Sequence, residues 1–357
     1  MNFKNKTIES EKNILFLYAQ ITPYLLGCIN YYTSNNTNNN IAVIYLDVFK
    51  NLQLNSKKRY QLIPKKNFSD RKEIIDFTLK FKPDVILISG RMDKDYLAIT
   101  KIFANKIKRI TLQDTMYQNT FKQFIQSVFS KYLYRQYFDK FWGVGVPQTA
   151  FAKRIGFKPT DINDGFYVAD KIFFDNNVAF KYNNVKELTV LFIGRLVREK
   201  NIINLAKAIE SINSINNSSH KLTIIGEGKE LSKLEKFKCI NYLGLKSQNE
   251  IINIAKKCHV FCLPSIYEPW GVVVHEMAAL GLPVLSSNKC GSSFNLVVDG
   301  VNGFKFNPFN INNIKSSLNK FILLSDEEKN KFSLNSNLIA RKINHMNWNN
   351  TLNSYLT

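Results

Sequence analysis

No run of apolar residues in this chain reaches the roughly 18 needed to cross a bilayer, so a helical membrane span is excluded by length. Residues 1–12 also lack the apolar core of a signal peptide, and the expected location is the cytoplasm. Histidine is scarce, with four residues and none before His220, which leaves the first half without an imidazole. Cysteine is limited to Cys28, Cys239, Cys258, Cys262 and Cys290, scattered and odd in number. Cys258 and Cys262 would share one face of a strand, but His259, the nearest imidazole, falls on the other. Ordinary buried thiols are therefore favoured over a metal site. Acidic residues are the minority charge, 28 against 49 Lys and Arg, for a net charge of +21.

The length of 357 residues suits two domains of about 160 to 180 residues, and 45% apolar residues supply two cores. The positive charge leans to the first half, where residues 1–165 carry +13 and the remainder +8. Such a surface fits polyanionic partners: nucleic acid, an anionic membrane face or a phosphorylated acceptor. The competing reading is coding bias, because lysine and asparagine are enriched together. Ser34–Asn40 and Ser211–Ser219, rich in asparagine, read as solvated loops.

The first half alternates short apolar runs with helical patterns, which predicts a parallel sheet covered on both faces. Strands are expected at Ile14–Ala19, Ile41–Leu46, Val85–Ser89, Arg109–Leu112 and Phe141–Val144. Helices are expected at Asp70–Phe81 and Tyr96–Lys106, the first ended by Lys82-Pro83-Asp84. Tyr117–Trp142 is amphipathic, aromatic and basic. It reads either as a core helix or as a surface resting on an anionic bilayer, helped by Lys57-Lys58-Arg59, Lys65-Lys66 and Arg71-Lys72.

The segment Ser265-Ile-Tyr-Glu-Pro-Trp-Gly-Val-Val-Val-His-Glu-Met-Ala-Ala-Leu-Gly-Leu-Pro-Val284 reads as loop, helix and strand following a buried strand at Cys258–Leu263. Glu268 then lies in a loop facing a helix start, and Glu276 sits on the helix Val272–Leu280. A helix start offers unpaired amides and a positive dipole end to a phosphate, and a carboxylate one turn in can accept two bonds from a ribose diol. Glu276 has a bland alternative as an exposed helix carboxylate, but its neighbours are apolar, and a carboxylate among them needs a partner. Arg195 and Lys200 follow the expected strand Leu188–Ile193. Gly194 between them permits a tight turn that lets both cations reach the crevice.

Four blocks occur in order: Phe192-Ile-Gly-Arg-Leu-Val-Arg-Glu-Lys-Asn201, Ile224-Ile-Gly-Glu-Gly228, Tyr242-Leu-Gly244, and Ser265–Val284. Asp299-Gly-Val-Asn-Gly303 follows them. From Leu188 to Phe306 the chain thereby resembles the C-terminal half of retaining glycosyltransferases of family four. The resemblance implies the α/β GT-B fold, two Rossmann-like doubly wound parallel-sheet domains facing a central cleft. The domains would span 1–168 for the acceptor and 169–338 for the nucleotide sugar. Residues 339–357, with a helix at Ile339–Leu356, would cross back to the first domain. It implies transfer of a sugar from a UDP- or GDP-linked donor to a glycan hydroxyl, lipid-linked, in surface polysaccharide synthesis of the O-antigen, capsule or lipopolysaccharide kind. By the same resemblance Glu268, Arg195 and Lys200 serve the chemistry. Gly194, Gly226, Gly228, Ser265, Pro269, Trp270, Gly271, Val272, Val273 and Glu276 bind the donor. Trp270, in place of the family's usual Phe, either flanks the sugar ring or braces the loop.

The first half departs from the pattern. The loop after the first strand, Gln20-Ile-Thr-Pro-Tyr24, lacks the family's glycine pair. No histidine follows the fourth strand, where Asp114 stands as the polar residue meeting the acceptor or the sugar, or else caps a helix near Gln118. No Asp-x-Asp pair is expected in a loop of the site, which agrees with transfer that needs no metal or other cofactor. A nucleic-acid role is disfavoured by the lack of a recognisable RNA motif. The alternative class is a non-catalytic scaffold of the same fold that binds a nucleotide sugar or a polyanion.

Overall fold

The computed structural model describes residues 11–49, 52, 54, 59–117, 120–177 and 182–357. Lys57, Lys58 and Gln118 lie outside the described residues. The chain separates into two compact units. One holds the described residues up to Val144, Gln148–Phe166 and His345–Thr357, and the other holds Gly145–Pro147 and the described residues of Tyr167–Asn344.

The first unit is a parallel sheet of β1 (Asn13–Ile21), β2 (Asn40–Val48), β3 (Gln61–Pro64), β4 (Val85–Ser89), β5 (Lys108–Gln113), β6 (Lys140–Gly143) and β7 (Ile162–Asn163). Their order is β3-β2-β1-β4-β5-β6-β7. Ile14 of β1 pairs with Ile41 on one side and Val85 on the other, and Ile14–Leu17 is wholly buried. That is why the central strands read as unbroken apolar runs. The edge strands left no such run: β3 is half-exposed and ends at Pro64, and β7 has two residues.

The helix Arg71–Phe81 starts where the Asp70 side chain accepts the Glu73 amide at 3.0 Å. It stops at Lys82, whose φ of 50° is left-handed. The next helix is Lys94–Ile102, earlier and shorter than expected, because Asp93 caps it by accepting the amides of Asp95 and Tyr96. Asp93 and Asp95 do form an Asp-x-Asp pair, but Lys65 bridges them at 2.5 and 2.7 Å, outside the second unit's site.

Three expectations are corrected. Ser211–Asn216 is helical rather than a loop, as part of Ile202–Asn216, because Ile212 is buried and Asn217 supplies the left-handed stop. Ile339–Leu356 is not one helix but the end of Asp326–Ala340 and a separate His345–Asn353. The core-helix reading of Tyr117–Trp142 also fails, because Phe121–Arg135 carries its large apolar side chains on the exposed side.

His345–Asn353 belongs to the first unit through Trp348. Its buried indole stacks on Phe16 at 6.4 Å and meets Trp142 at 5.2 Å and Tyr32 edge-on at 6.3 Å. Trp348→Ala is expected to destabilise the first unit by about 3–5 kcal/mol in a denaturant titration.

The second unit is a parallel sheet of β8 (Thr189–Ile193), β9 (Lys221–Ile225), β10 (Ile240–Tyr242), β11 (Val260–Leu263), β12 (Val284–Ser287) and β13 (Gly303–Phe306). Their order is β10-β9-β8-β11-β12-β13. The winding reverses between β8 and β11, so the loops leaving those two strands diverge and open a crevice at their C-terminal ends.

Candidate functional site

The loops after β8 and β9 are joined backbone to backbone. The Gly194 amide donates to the Ile225 carbonyl at 3.0 Å, the Leu196 amide to Glu227 at 2.7 Å, and the Glu230 amide to Leu196 at 2.9 Å. This close approach accounts for the Gly-Glu-Gly block. A Cβ on Gly226 would lie 1.9 Å from the Gly194 carbonyl oxygen, and one on Gly228 would lie 2.3 Å from that of Leu196. Both glycines thus shape the Arg195 loop, whatever else they approach. Gly226→Ala is expected to lose more than about 2 kcal/mol of stability in a denaturant titration, because both clashing atoms are backbone.

Lys200 ends the short 3-10 turn Arg198–Lys200. Its ammonium pairs with Oε2 of Glu268, and the Ser265 hydroxyl donates to the same oxygen at 3.4 Å. Both partners of the pair keep only 14% of side-chain exposure. Three residues separated by up to 68 positions are thus brought together, because the β8 and β11 loops meet where the Ile266 amide donates to the Glu199 carbonyl at 2.8 Å. Gly194 stands beside them, and a Cβ there would touch Lys200 Cε at 3.8 Å. Arg195 is exposed and has no acidic partner among the described residues.

Gly271, at φ 84°, turns the chain into the helix Val272–Leu280. A Cβ on it would press Glu268 Cγ and Cys290 Sγ, both at 3.0 Å. The Val274 amide closes onto the Gly271 carbonyl at 3.0 Å. The amides of Val272 and Val273 have no acceptor among the described residues, and they lie at the positive end of the helix dipole. Trp270 is 2% exposed, and its ring packs where a Gly145 Cβ would stand, 2.4 Å from Cζ3. Pro269 lies between Glu268 and this buried ring.

The sequence reading missed the second strap on this loop. The Glu268 amide donates to Lys289 at 3.1 Å, and the Gly291 and Ser292 amides donate to Glu268 and Trp270, both at 2.9 Å. The Cys290 thiol donates to the Trp270 carbonyl at 3.0 Å, and burial pushes its pKa up to about 11. Cys290-Gly-Ser-Ser293 carries no charge or periodic pattern that would have marked it in the sequence.

Glu276 lies one turn into the helix, among Val272, Val273 and buried Met277, with no hydrogen-bond partner among the described residues. Desolvation, and then the nearby Asp170 charge, push its carboxyl up to about 8. His275 is structural: its Nδ1 accepts the Ala169 amide at 3.1 Å and its Nε2 faces the Ala340 carbonyl at 3.0 Å. His220 and His259 accept the Leu188 and Thr189 amides and so fasten the start of β8. Burial lowers both of their pKa values.

Asp114, in the first unit, lies past β5 and is half-buried, and its carbonyl accepts from Gln148 Nε2 at 2.8 Å. The expectation that it caps a helix near Gln118 is corrected. The helix begins at Phe121, and Thr120 caps it by accepting the Gln123 amide at 3.3 Å. All five cysteines are buried, and none of them is in a disulfide. Among the described residues, no three of His, Cys, Asp and Glu gather as metal ligands.

Two parallel sheets of seven and six strands, each reversing its winding beside the first strand, define the GT-B class. Residues 174–337 match the family described as glycosyl transferases group 1. An uncharacterized glycosyltransferase of Methanocaldococcus jannaschii is 31% identical over 161 residues, 43% of this chain and 43% of that protein. The UDP-Gal:alpha-D-GlcNAc-diphosphoundecaprenol alpha-1,3-galactosyltransferase of Escherichia coli is 30% identical over 144 residues, 38% of this chain and 36% of its own. These matches span less than half the length of either relative. Anabaena HepE, crystallised in complex with UDP, shares the fold at a TM-score of 0.73 and 15% identity, over 96% of this chain and 99% of that one.

Proposed function

We propose that this chain is a retaining glycosyltransferase that moves a sugar from a nucleotide-diphosphate donor to a hydroxyl of a glycan acceptor, lipid-linked, in surface polysaccharide synthesis. The observation that carries this reading is the Lys200–Glu268–Ser265 cluster set against the unpaired amides of Val272 and Val273 at the β8/β11 crevice. That one relative is a galactosyltransferase using UDP-Gal and another was crystallised with UDP supports the donor class.

In this reading the diphosphate lies on the helix start and takes Lys200 and Arg195 as counter-charges, while Glu268 and Ser265 hold sugar hydroxyls. Glu276 accepts the ribose diol. The bond from the anomeric carbon to phosphate oxygen breaks, and charge builds on the departing diphosphate. Fixed cations stabilise that state more than the ground state. The acceptor oxygen bonds to the same face of the anomeric carbon, and its proton passes to the departing phosphate oxygen. Asp114 orients the acceptor. No metal is needed when side-chain cations and a helix dipole carry the charge.

A thermal-shift screen of UDP- and GDP-sugars tests the donor. A ligand at 100 times its dissociation constant adds about 2.7 kcal/mol of stability. Incubating the stabilising donor with glycan acceptors and reading the anomeric configuration of the product tests the transfer. Stabilisation without product under every acceptor would favour the non-catalytic scaffold, and inverted product would remove the same-face route.

A further inference from the structure

Two successive peptide planes at the start of the helix Val272–Leu280 are held from their carbonyl sides. The Trp270 carbonyl accepts the Ser292 amide at 2.9 Å and the Cys290 thiol at 3.0 Å. The Gly271 carbonyl accepts the Ser292 hydroxyl at 3.3 Å, besides the Val274 amide at 3.0 Å. No cis peptide bond occurs among the described residues, and across a trans peptide the carbonyl and the following N–H point opposite ways. Fixing these two carbonyls therefore aims the amides of Gly271 and Val272 away from Cys290 and Ser292. Neither amide has an acceptor among the described residues.

Ser292 stands at the N-cap of the short helix Ser293–Leu296, where a serine side chain ordinarily accepts an amide of its own helix. It makes no such cap, and its hydroxyl crosses to Gly271 instead. The Cys290 sulfur lies 3.2 Å from the Ser292 oxygen, and both residues are wholly buried. Burial, and then the Glu268 charge, keep the thiol protonated, so it acts as a donor. A Cβ on Gly271 would stand 3.0 Å from that sulfur, so the segment lies directly against the turn it holds.

We infer that Cys290 and Ser292 are positioning residues of the donor site, orienting the amides of Gly271 and Val272 for a diphosphate before it binds. Recognition of an anion by amides depends on where the N–H groups aim. Amides fixed before the ligand arrives need no ordering on binding. Both side chains act through the backbone, and neither is required to touch the donor. The inference rests on the donor site proposed above and concerns its diphosphate alone.

The test is titration of the full chain with UDP, GDP, uridine and guanosine, read by ligand-observed NMR. The diphosphate that the wild type binds is expected to bind Ser292→Ala and Cys290→Ala about fivefold more weakly each, and the double variant about 25-fold, as for one hydrogen bond lost at each residue. The matching nucleoside, which has no phosphate to place, is expected to bind all of them alike. Cys290→Ser, which keeps a donor at that place, is expected to recover most of the loss of Cys290→Ala. Should the double variant melt below the titration temperature, Ser292→Ala decides, since it removes a single oxygen atom. Unchanged diphosphate binding in the Ala variants, or equal losses for diphosphate and nucleoside, would overturn the inference and leave the donor site standing. A wild type that binds neither diphosphate would overturn the donor site itself, and this inference with it.

Discussion

Lys200→Ala is expected to lower sugar transfer about 100- to 1,000-fold, the loss seen when one fixed electrostatic donor is taken from a transition state that gains charge. Lys200 is held by Glu268, itself fixed by Ser265 and by the backbone straps from Lys289 and Gly291. In the free protein this pairing keeps the ammonium at the crevice, and the account has it turn to the diphosphate when the donor binds. The loss should fall mainly on kcat, because the charge it meets grows along the reaction. Removing Lys200 also leaves Glu268 without its cation, so a stability loss of about 1–3 kcal/mol accompanies the kinetic effect. Thermal melting separates the two: a variant still folded at the assay temperature and still transferring at the wild-type rate would remove Lys200 from the chemistry.

The second large effect concerns pH. The Glu276 carboxyl is held up to about 8 by burial and by Asp170, well above its ordinary 4.5. Below pH 8 the free protein therefore carries it protonated, and an acid in that form offers its diol partner a poorer acceptor. A bound ribose diol donates two bonds to the ionised form, so donor binding expels the proton. Donor affinity is expected to rise about fiftyfold between pH 6 and pH 8 and then to level off. Glu276→Gln, which cannot ionise, should bind with no such slope. The same shift acts on stability in the opposite direction. A raised carboxyl stabilises the folded form below its unfolded pKa, and that contribution is lost as pH rises through about 8. Calorimetric titration of donor at several pH values checks the first claim, and a flat wild-type profile would detach Glu276 from the diol.

Much of the second unit was legible because its strands are short apolar runs between glycine-marked loops. Val272–Leu280 begins and ends where expected, since Gly271 and Gly281 both adopt left-handed backbone. Lys200 and Glu268 were each readable as a charged residue of one crevice, but not as partners in an ion pair. Their contact depends on the Ile266–Glu199 hydrogen bond between loops distant in sequence. Cys290 and Ser292 were invisible as loop straps because they act through backbone amides and a buried thiol, which leave no periodic or charge signature. Trp348 gave no sign of its partners, since a buried aromatic cluster across 332 positions is a matter of tertiary packing. Phe121–Arg135 had the right period, yet period alone does not say which side of an amphipathic helix meets the protein.

The most direct measurement is a crystal structure of the chain with an intact nucleotide-diphosphate sugar. The account places the diphosphate against the amides of Val272 and Val273, with Lys200 turned from Glu268 toward phosphate oxygen and Glu276 on the ribose. A diphosphate bound elsewhere, with Lys200 still paired to Glu268, would contradict it.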